Sequence, residues 1–166
     1  TMTCAGNRRS EHSRVKKVGG VQWTAGPIGN ARWGGVRLAG VLQLAGLQEG
    51  AKHVWFESID QVKKDDRTFP FGASIPVKKS LEKTRLGNGT LLATSMNGRP
   101  LPPDHGYPIR TVVPGYVGAR SVKWLGRIVV SDRPSPNHYV ANAYKLVTDG
   151  NQEEWAAAQP IYKFPI

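Results

Sequence analysis

Glycine and proline interrupt this chain so often that no long element can form. Nineteen glycines and 12 prolines are scattered through 166 residues, and no heptad, internal repeat or low-complexity tract runs between them. Each one ends, bends or frees the backbone locally, so elements are short and loops are many. Such a chain is built as an α+β fold, with mixed short-strand sheets and few helices. No βαβα rhythm supports a doubly wound sheet. The length suits one domain, and an apolar content of 39% suffices for a real core. No run of about 18 apolar residues is present, so nothing here reads as a membrane span. The polar, basic start carries no secretory signal.

Within that frame the pattern predicts particular elements. Residues 21–25, VQWTA, read as a short strand, and GPIGNARWGG after them as a loop. Leu38, Val41, Leu42 and Ala45 recur on one face, predicting a helix over 36–47 that Gly50 ends. HVWFESI (53–59) and TLLATSM (90–96) read as strands, and VKKSLEKT after Pro76 as a helical turn. The stretch QVKKDDRTFPFG reads as a charged loop. IRTVVP (109–114) and SVKWLGRIVVS (121–131) are the strongest strands and bracket the small-residue turn GYVGA. The segment from Asp132 reads mostly as loop, and the tail PIYKFPI as extended.

Charge narrows the partners. Twenty-three Lys and Arg stand against 12 Asp and Glu, a net charge of +11, which favours anionic partners, either a polymer or a small anion with a phosphorylated cofactor. The one cysteine, Cys4, excludes an internal disulfide. It is followed by Gly6, Asn7, Arg8 and Arg9, and adjacent guanidinium groups favour a thiolate, which serves as a nucleophile or a soft metal ligand. A catalytic thiol wants a histidine base, for which His12, His53, His105 and His138 are available, but no cysteine-protease signature surrounds Cys4. The ordinary reading of a lone cysteine near a terminus is an incidental residue. PPDHGYPIR brings Asp104, His105 and Arg110 to a bend, either as a salt-bridged turn or as a grip on a phosphate or heterocycle. In GARSVKW, Gly118 and Ala119 permit close backbone approach while Arg120 and Lys123 add charge. Asp60 ends a strand, where a turn carboxylate is the plain reading. Neither a P-loop nor GxGxxG occurs.

Taken singly these signals are weak, but their order is not. CAGNRRSE, IGNARWGGVRL, FGASIP, MNGRPLPPDHGYPIR and VPGYVGARSVKWLGRI together resemble the molybdenum-cofactor domain of eukaryotic sulfite oxidases, from about residue 3 to residue 131. The chain is also similar to the related assimilatory nitrate reductases. The resemblance implies a molybdenum held by one pyranopterin dithiolene, with Cys4 at the position of the metal-ligating thiolate. It implies Arg9 as a substrate arginine and Trp23 as a pocket wall. Asp60, His105, Arg110, Ser121, Val122 and Lys123 fall at molybdopterin-binding positions. Tyr144, followed by Lys145, matches the sulfite oxidase branch, since nitrate reductases carry Asn-Arg there; Ala143 departs from the family's Asp at the preceding position. The implied reaction turns sulfite and water into sulfate, leaving two electrons on the metal. The basic surface then serves to steer a small anion, and no nucleic-acid-binding motif competes with that reading.

The same resemblance implies an internal fragment of a larger enzyme: residues 1–160 as a partial catalytic domain, and 161–166 as the start of a C-terminal dimerisation domain. A homodimer would then form through that domain, and haem would sit on a domain outside this chain. The expected electron acceptor is cytochrome c, in the mitochondrial intermembrane space, or oxygen, in peroxisomes, with the first compartment favoured and neither fixed. The rival reading from another class is a cofactor-free basic interaction module.

Overall fold

The computed structural model describes residues 1–83 and 89–145. Its framework is two small antiparallel sheets joined by one core. In the first, β4 (His53–Ser58) lies between β7 (Gly72–Pro76) and β11 (Leu125–Ser131). Burial alternates along β4, so Val54, Phe56 and Ser58 face inward while His53, Trp55 and Glu57 are half-buried, as the period of two in a strand requires. In the second, β8 (Leu91–Met96) lies between β3 (Trp33–Arg37) and β10 (Arg110–Val112), with β9 (Arg99–Pro100) also paired to β8. Helix α2 (Leu38–Ala45) follows β3 directly and turns Leu38 and Leu42, four residues apart, into the core. There they meet Val54, Phe56, Ala73, Ile75, Leu92, Val113 and Val122. Leu44 on the opposite face of α2 is 92% exposed, as is Val15.

The meeting of β3 and β8 depends on the absence of a side chain. A Cβ at Gly35 would stand 2.0 Å from the Leu92 carbonyl oxygen, beside an irregularity in register between Gly34 and Gly35. Gly35→Ala is therefore expected to prise β3 from β8 and cost about 1–3 kcal/mol, read as a lowered denaturant midpoint at unchanged slope.

The α+β architecture with few helices matches the expectation, while several local readings do not. Residues 21–25 form no strand: Val21 and Trp23 stay exposed, and their carbonyls are taken by the Arg9 side chain and the Ser10 amide. The predicted loop at 26–35 contains β2 (Ile28–Gly29), paired with β1 (Met2–Thr3), and most of β3. The helix begins at Leu38, because Val36 and Arg37 belong to β3, and it ends before Gly46, whose φ of 77° suits glycine, rather than at Gly50. The charged loop is a hairpin of β5 (Val62–Lys64) and β6 (Arg67–Phe69), turning at Asp65 with φ 54°; β7 follows it. Residues 121–124 lie outside β11. Helix α3 (Val77–Leu81) stands where the helical turn was expected. A short α4 (His138–Ala141), capped by the Asn137 side chain accepting from the Tyr139 amide, replaces part of the last loop. The tail PIYKFPI and the 160/161 boundary lie outside the described residues.

Candidate active site

The N-terminal turn is stitched to the segment 23–27. The Cys4 amide donates to Pro27 O at 3.0 Å, the Arg8 amide to Thr24 O at 3.1 Å and the Ser10 amide to Trp23 O at 3.0 Å, while the Asn7 side chain accepts from the Gly26 amide. Arg8 takes a left-handed φ of 62° to make this turn, and α1 (Arg9–Val15) starts immediately after it. The turn leaves Cys4 exposed, with its sulfur accepting the Gly6 amide at 3.3 Å. The Arg9 guanidinium donates to Val21 O at 2.9 Å and lies over Gly6 and Gly20, where a Cβ would come within 2.9 and 2.6 Å of its nitrogens. Trp23 packs beside Gly6 in the same place and is 48% exposed.

Two adjoining cavities meet behind this turn. One, of about 580 Å³, is lined by Met2, Thr3, Cys4, Pro27, Phe71, Gly118, Ala119, Lys123 and Tyr144 among others. The other, of about 290 Å³, is lined by Asp60, Phe71, Arg110, Gly118, Ala119, Ser121, Lys123 and Trp124. Phe71, Gly118, Ala119 and Lys123 line both. Gly118 presses against the chain at Thr3, where a Cβ would stand 3.1 Å from the Thr3 carbonyl oxygen, so the 118–120 turn abuts the strand that leads to Cys4.

The polar side chains around the smaller cavity are fixed by main-chain and side-chain partners. Asp60 accepts from the Ser58 hydroxyl and, at 3.3 Å, from the Phe71 amide. Arg110 donates to His105 O at 3.0 Å and Ser121 O at 3.1 Å, and its guanidinium lies 4.8 Å from the centre of the Trp33 ring. Arg110 is buried, and no described carboxylate pairs with it; burial lowers its pKa to about 10, so it remains cationic at neutral pH. Lys123 donates to Asp104 O at 2.8 Å, and its ammonium lies over the Trp124 ring. Ser121 spends its hydroxyl as acceptor for the Val113 amide. In the larger cavity, burial pushes the Tyr144 phenol above its ordinary pKa; Cys4 and Tyr139 add to the rise, while Arg9 and Arg120 oppose it. The phenol therefore stays protonated and can donate a hydrogen bond.

The fold brings together Cys4, Tyr144 and Lys123 on one cavity, and Asp60, Arg110, Ser121 and Lys123 on its neighbour. Arg9 and Trp23 stand beside Cys4 without lining either cavity, although the Arg9 charge reaches Tyr144. Val122 is fully buried in the core, with its amide donating to the Thr111 hydroxyl at 2.7 Å. The His105 side chain is exposed, and that residue's contribution to the site is the carbonyl that Arg110 grips. None of His12, His53, His105 and His138 lines either cavity, so no thiol–imidazole pair forms there. Sequence reasoning missed Phe71, whose signal was hidden in an apparent charged loop, and Trp124.

The family model for the oxidoreductase molybdopterin binding domain matches residues 1–139. The chain belongs to that family. Its sequence is 49% identical over 171 residues to a mitochondrial sulfite oxidase of Mus musculus, covering all of this chain and 30% of that protein. The sulfite oxidase of Arabidopsis thaliana is 41% identical, again over all of this chain and over 44% of its own length. A nitrate reductase of Fusarium oxysporum is 40% identical, with 98% of this chain and 17% of that enzyme covered. Among solved structures, the sulfane dehydrogenase SoxCD of Paracoccus pantotrophus superposes with a TM-score of 0.72 at 29% identity, covering 95% of this chain and 36% of that one. This molybdopterin-binding domain is thus closely related to sulfite oxidase, and it spans less than half the length of these curated relatives.

Proposed function

We propose that this molybdopterin-binding domain carries the cofactor- and substrate-facing residues of an enzyme that oxidises sulfite to sulfate. The observation that carries the reading is the convergence of Cys4 and Tyr144, from opposite ends of the described chain, on one cavity adjoining that of Asp60, Arg110 and Ser121. The residues fit an anionic, phosphorylated pterin. A buried guanidinium without a described carboxylate partner is costly to keep, and an anion offsets that cost. Among the described residues no three His, Cys, Asp or Glu side chains gather into a metal-holding group, and a single exposed thiolate suits a metal that brings a dithiolene of its own.

Molybdenum, when bound, supplies the two-electron acceptor chemistry: sulfite and water become sulfate, two protons and two electrons. The chain's part is electrostatic and positional. The Cys4 sulfur, on the wall of the larger cavity, would be the protein's ligand to the metal. Arg110 and Lys123 place positive charge along the smaller one and would hold the pterin's anionic end, and Asp60 would offer its carboxylate to the heterocycle. Arg9 offers a planar, permanently charged fork to the sulfite oxyanion, beside the Trp23 ring. Tyr144 donates its phenol hydrogen to the same anion and passes a proton at that oxygen. The +11 charge steers both anions inward.

The test is molybdenum content together with sulfite-dependent reduction of an acceptor, measured on the holoenzyme that contains these residues, with nitrate reduction in parallel. Sulfite turnover at one molybdenum per chain is the expected result; nitrate turnover without sulfite turnover would sink the reading. Tyr144 and Lys145 are what favour sulfite over nitrate. Tyr144→Phe is expected to lower kcat about tenfold, the worth of one hydrogen bond to a charged group, with molybdenum content unchanged. The residues form part of a larger domain on this reading, so the isolated 166 residues bind the pterin weakly and turn over poorly.

A further inference from the structure

Arg120 is the largest fully buried side chain among the described residues, and no step above uses it. It sits in the 118–120 turn, between residues that form the cavity walls: Gly118 and Ala119 line both cavities and Ser121 lines one. Its guanidinium reaches away from them and donates from Nη1 to the Tyr139 carbonyl at 2.9 Å, inside α4. Tyr139 in turn bridges the site. Its ring lies 4.6 Å from that of Phe71, which also lines both cavities, and 6.0 Å from the ring of Tyr144.

Tyr144 itself needs holding. Its φ is 51°, a left-handed conformation that a bulky residue adopts only when its surroundings impose it. The element directly before it is one short helix, capped by Asn137 and tied to the cavity wall by Arg120. A guanidinium makes that tie rigid, because its planar fork fixes direction as well as distance.

We propose that Arg120 is a positioning residue: through the Tyr139 carbonyl and ring it sets the place of the Tyr144 phenol relative to the shared cavity wall. This rests on Tyr144 acting in sulfite oxidation. Arg120 touches neither substrate nor cofactor. Its effect on turnover passes through Tyr144 alone, and the wall and the phenol move as one unit.

The test is a double-mutant cycle in the holoenzyme, with Arg120→Lys and Arg120→Gln each made alone and with Tyr144→Phe. A ring-labelled tyrosine NMR spectrum, assigned through the Tyr144→Phe variant, is recorded on each protein. Arg120→Gln is expected to lower kcat roughly fivefold beside Tyr144 and to have almost no further effect beside Phe, since coupled residues are non-additive. Arg120→Lys, which keeps the charge and loses the fork, falls between. If Arg120→Gln does not fold, the Lys variant decides by the same comparison. The ring signals of Tyr139 and Tyr144 move while that of Tyr107, an exposed residue, stays in place. Equal loss of kcat in both backgrounds, or unmoved Tyr144 signals, overturns the proposal and leaves Arg120 a structural residue. If Tyr144→Phe costs no sulfite turnover, the catalytic reading of Tyr144 fails instead, and the NMR shifts still report whether Arg120 places the ring.

Discussion

Cys4→Ser is expected to remove sulfite-dependent turnover by more than ~100-fold, beyond the ~10–100-fold that losing only a metal's outer support costs. The reason is chemical rather than structural. Cys4 is exposed, and its one side-chain hydrogen bond, from the Gly6 amide, is one that a serine oxygen can also accept. The fold therefore survives the change. What is lost is a soft, readily ionised sulfur; a serine hydroxyl is a hard ligand and stays protonated near neutral pH. Molybdenum per chain, turnover and thermal midpoint measured together separate these effects. The expected pattern is an unchanged midpoint with turnover gone, and full turnover by the serine variant would remove the metal-ligand role from Cys4.

Arg110→Met is expected to strip the cofactor without unfolding the chain. The lowering of the Arg110 pKa to about 10 amounts to roughly 3 kcal/mol of buried-charge cost, which methionine relieves. Against that, the carbonyls of His105 and Ser121 lose charge-assisted donors worth about 1.5–3 kcal/mol each. The two nearly cancel, leaving a net loss of at most about 3 kcal/mol. The sign with pH follows from the depressed value. Below about pH 10 Arg110 is charged in the folded state and the cost is present in full; it fades as pH rises through 10. The variant, with no such group, lacks this rise in stability on the alkaline side. Anion binding has no such compensation, so pterin affinity falls about 10- to 100-fold. Molybdenum content and denaturation profiles of the holoenzyme at neutral and alkaline pH check both halves.

Where the sequence was legible, one physical signal dominated. The alternation in HVWFES and the four-residue spacing of Leu38 and Leu42 state their own burial, and both elements form, the helix within narrower bounds than expected. Where two signals competed, the reading failed. The segment 60–71 carries three lysines and arginines and Pro70 beside Val62 and Phe69, and charge hid a hairpin whose exposed strands have no need of an apolar face. VQWTA has β-prone residues, but its hydrogen bonds go to the N-terminal turn, which no local pattern announces. The candidate site residues were named only through long motifs in the right order. Nothing in the letters separates the side chain of Arg110, which meets the cavity, from that of Val122, which fills the core. Arg120 is the sharper case: it reads as surface charge, and the fold buries it completely.

The wall common to the two cavities has a practical consequence for anyone redesigning this domain. Phe71, Gly118, Ala119 and Lys123 cannot be altered for one compartment alone, because each faces both. Reshaping the larger compartment alone must draw on positions private to it, such as Met2, Thr3, Ala5 and Pro27. Reshaping the smaller compartment alone must draw on those private to it, Asp60, Arg110, Ser121 and Trp124. Libraries that keep the four shared positions constant explore two independent variables; libraries that randomise them explore one entangled variable.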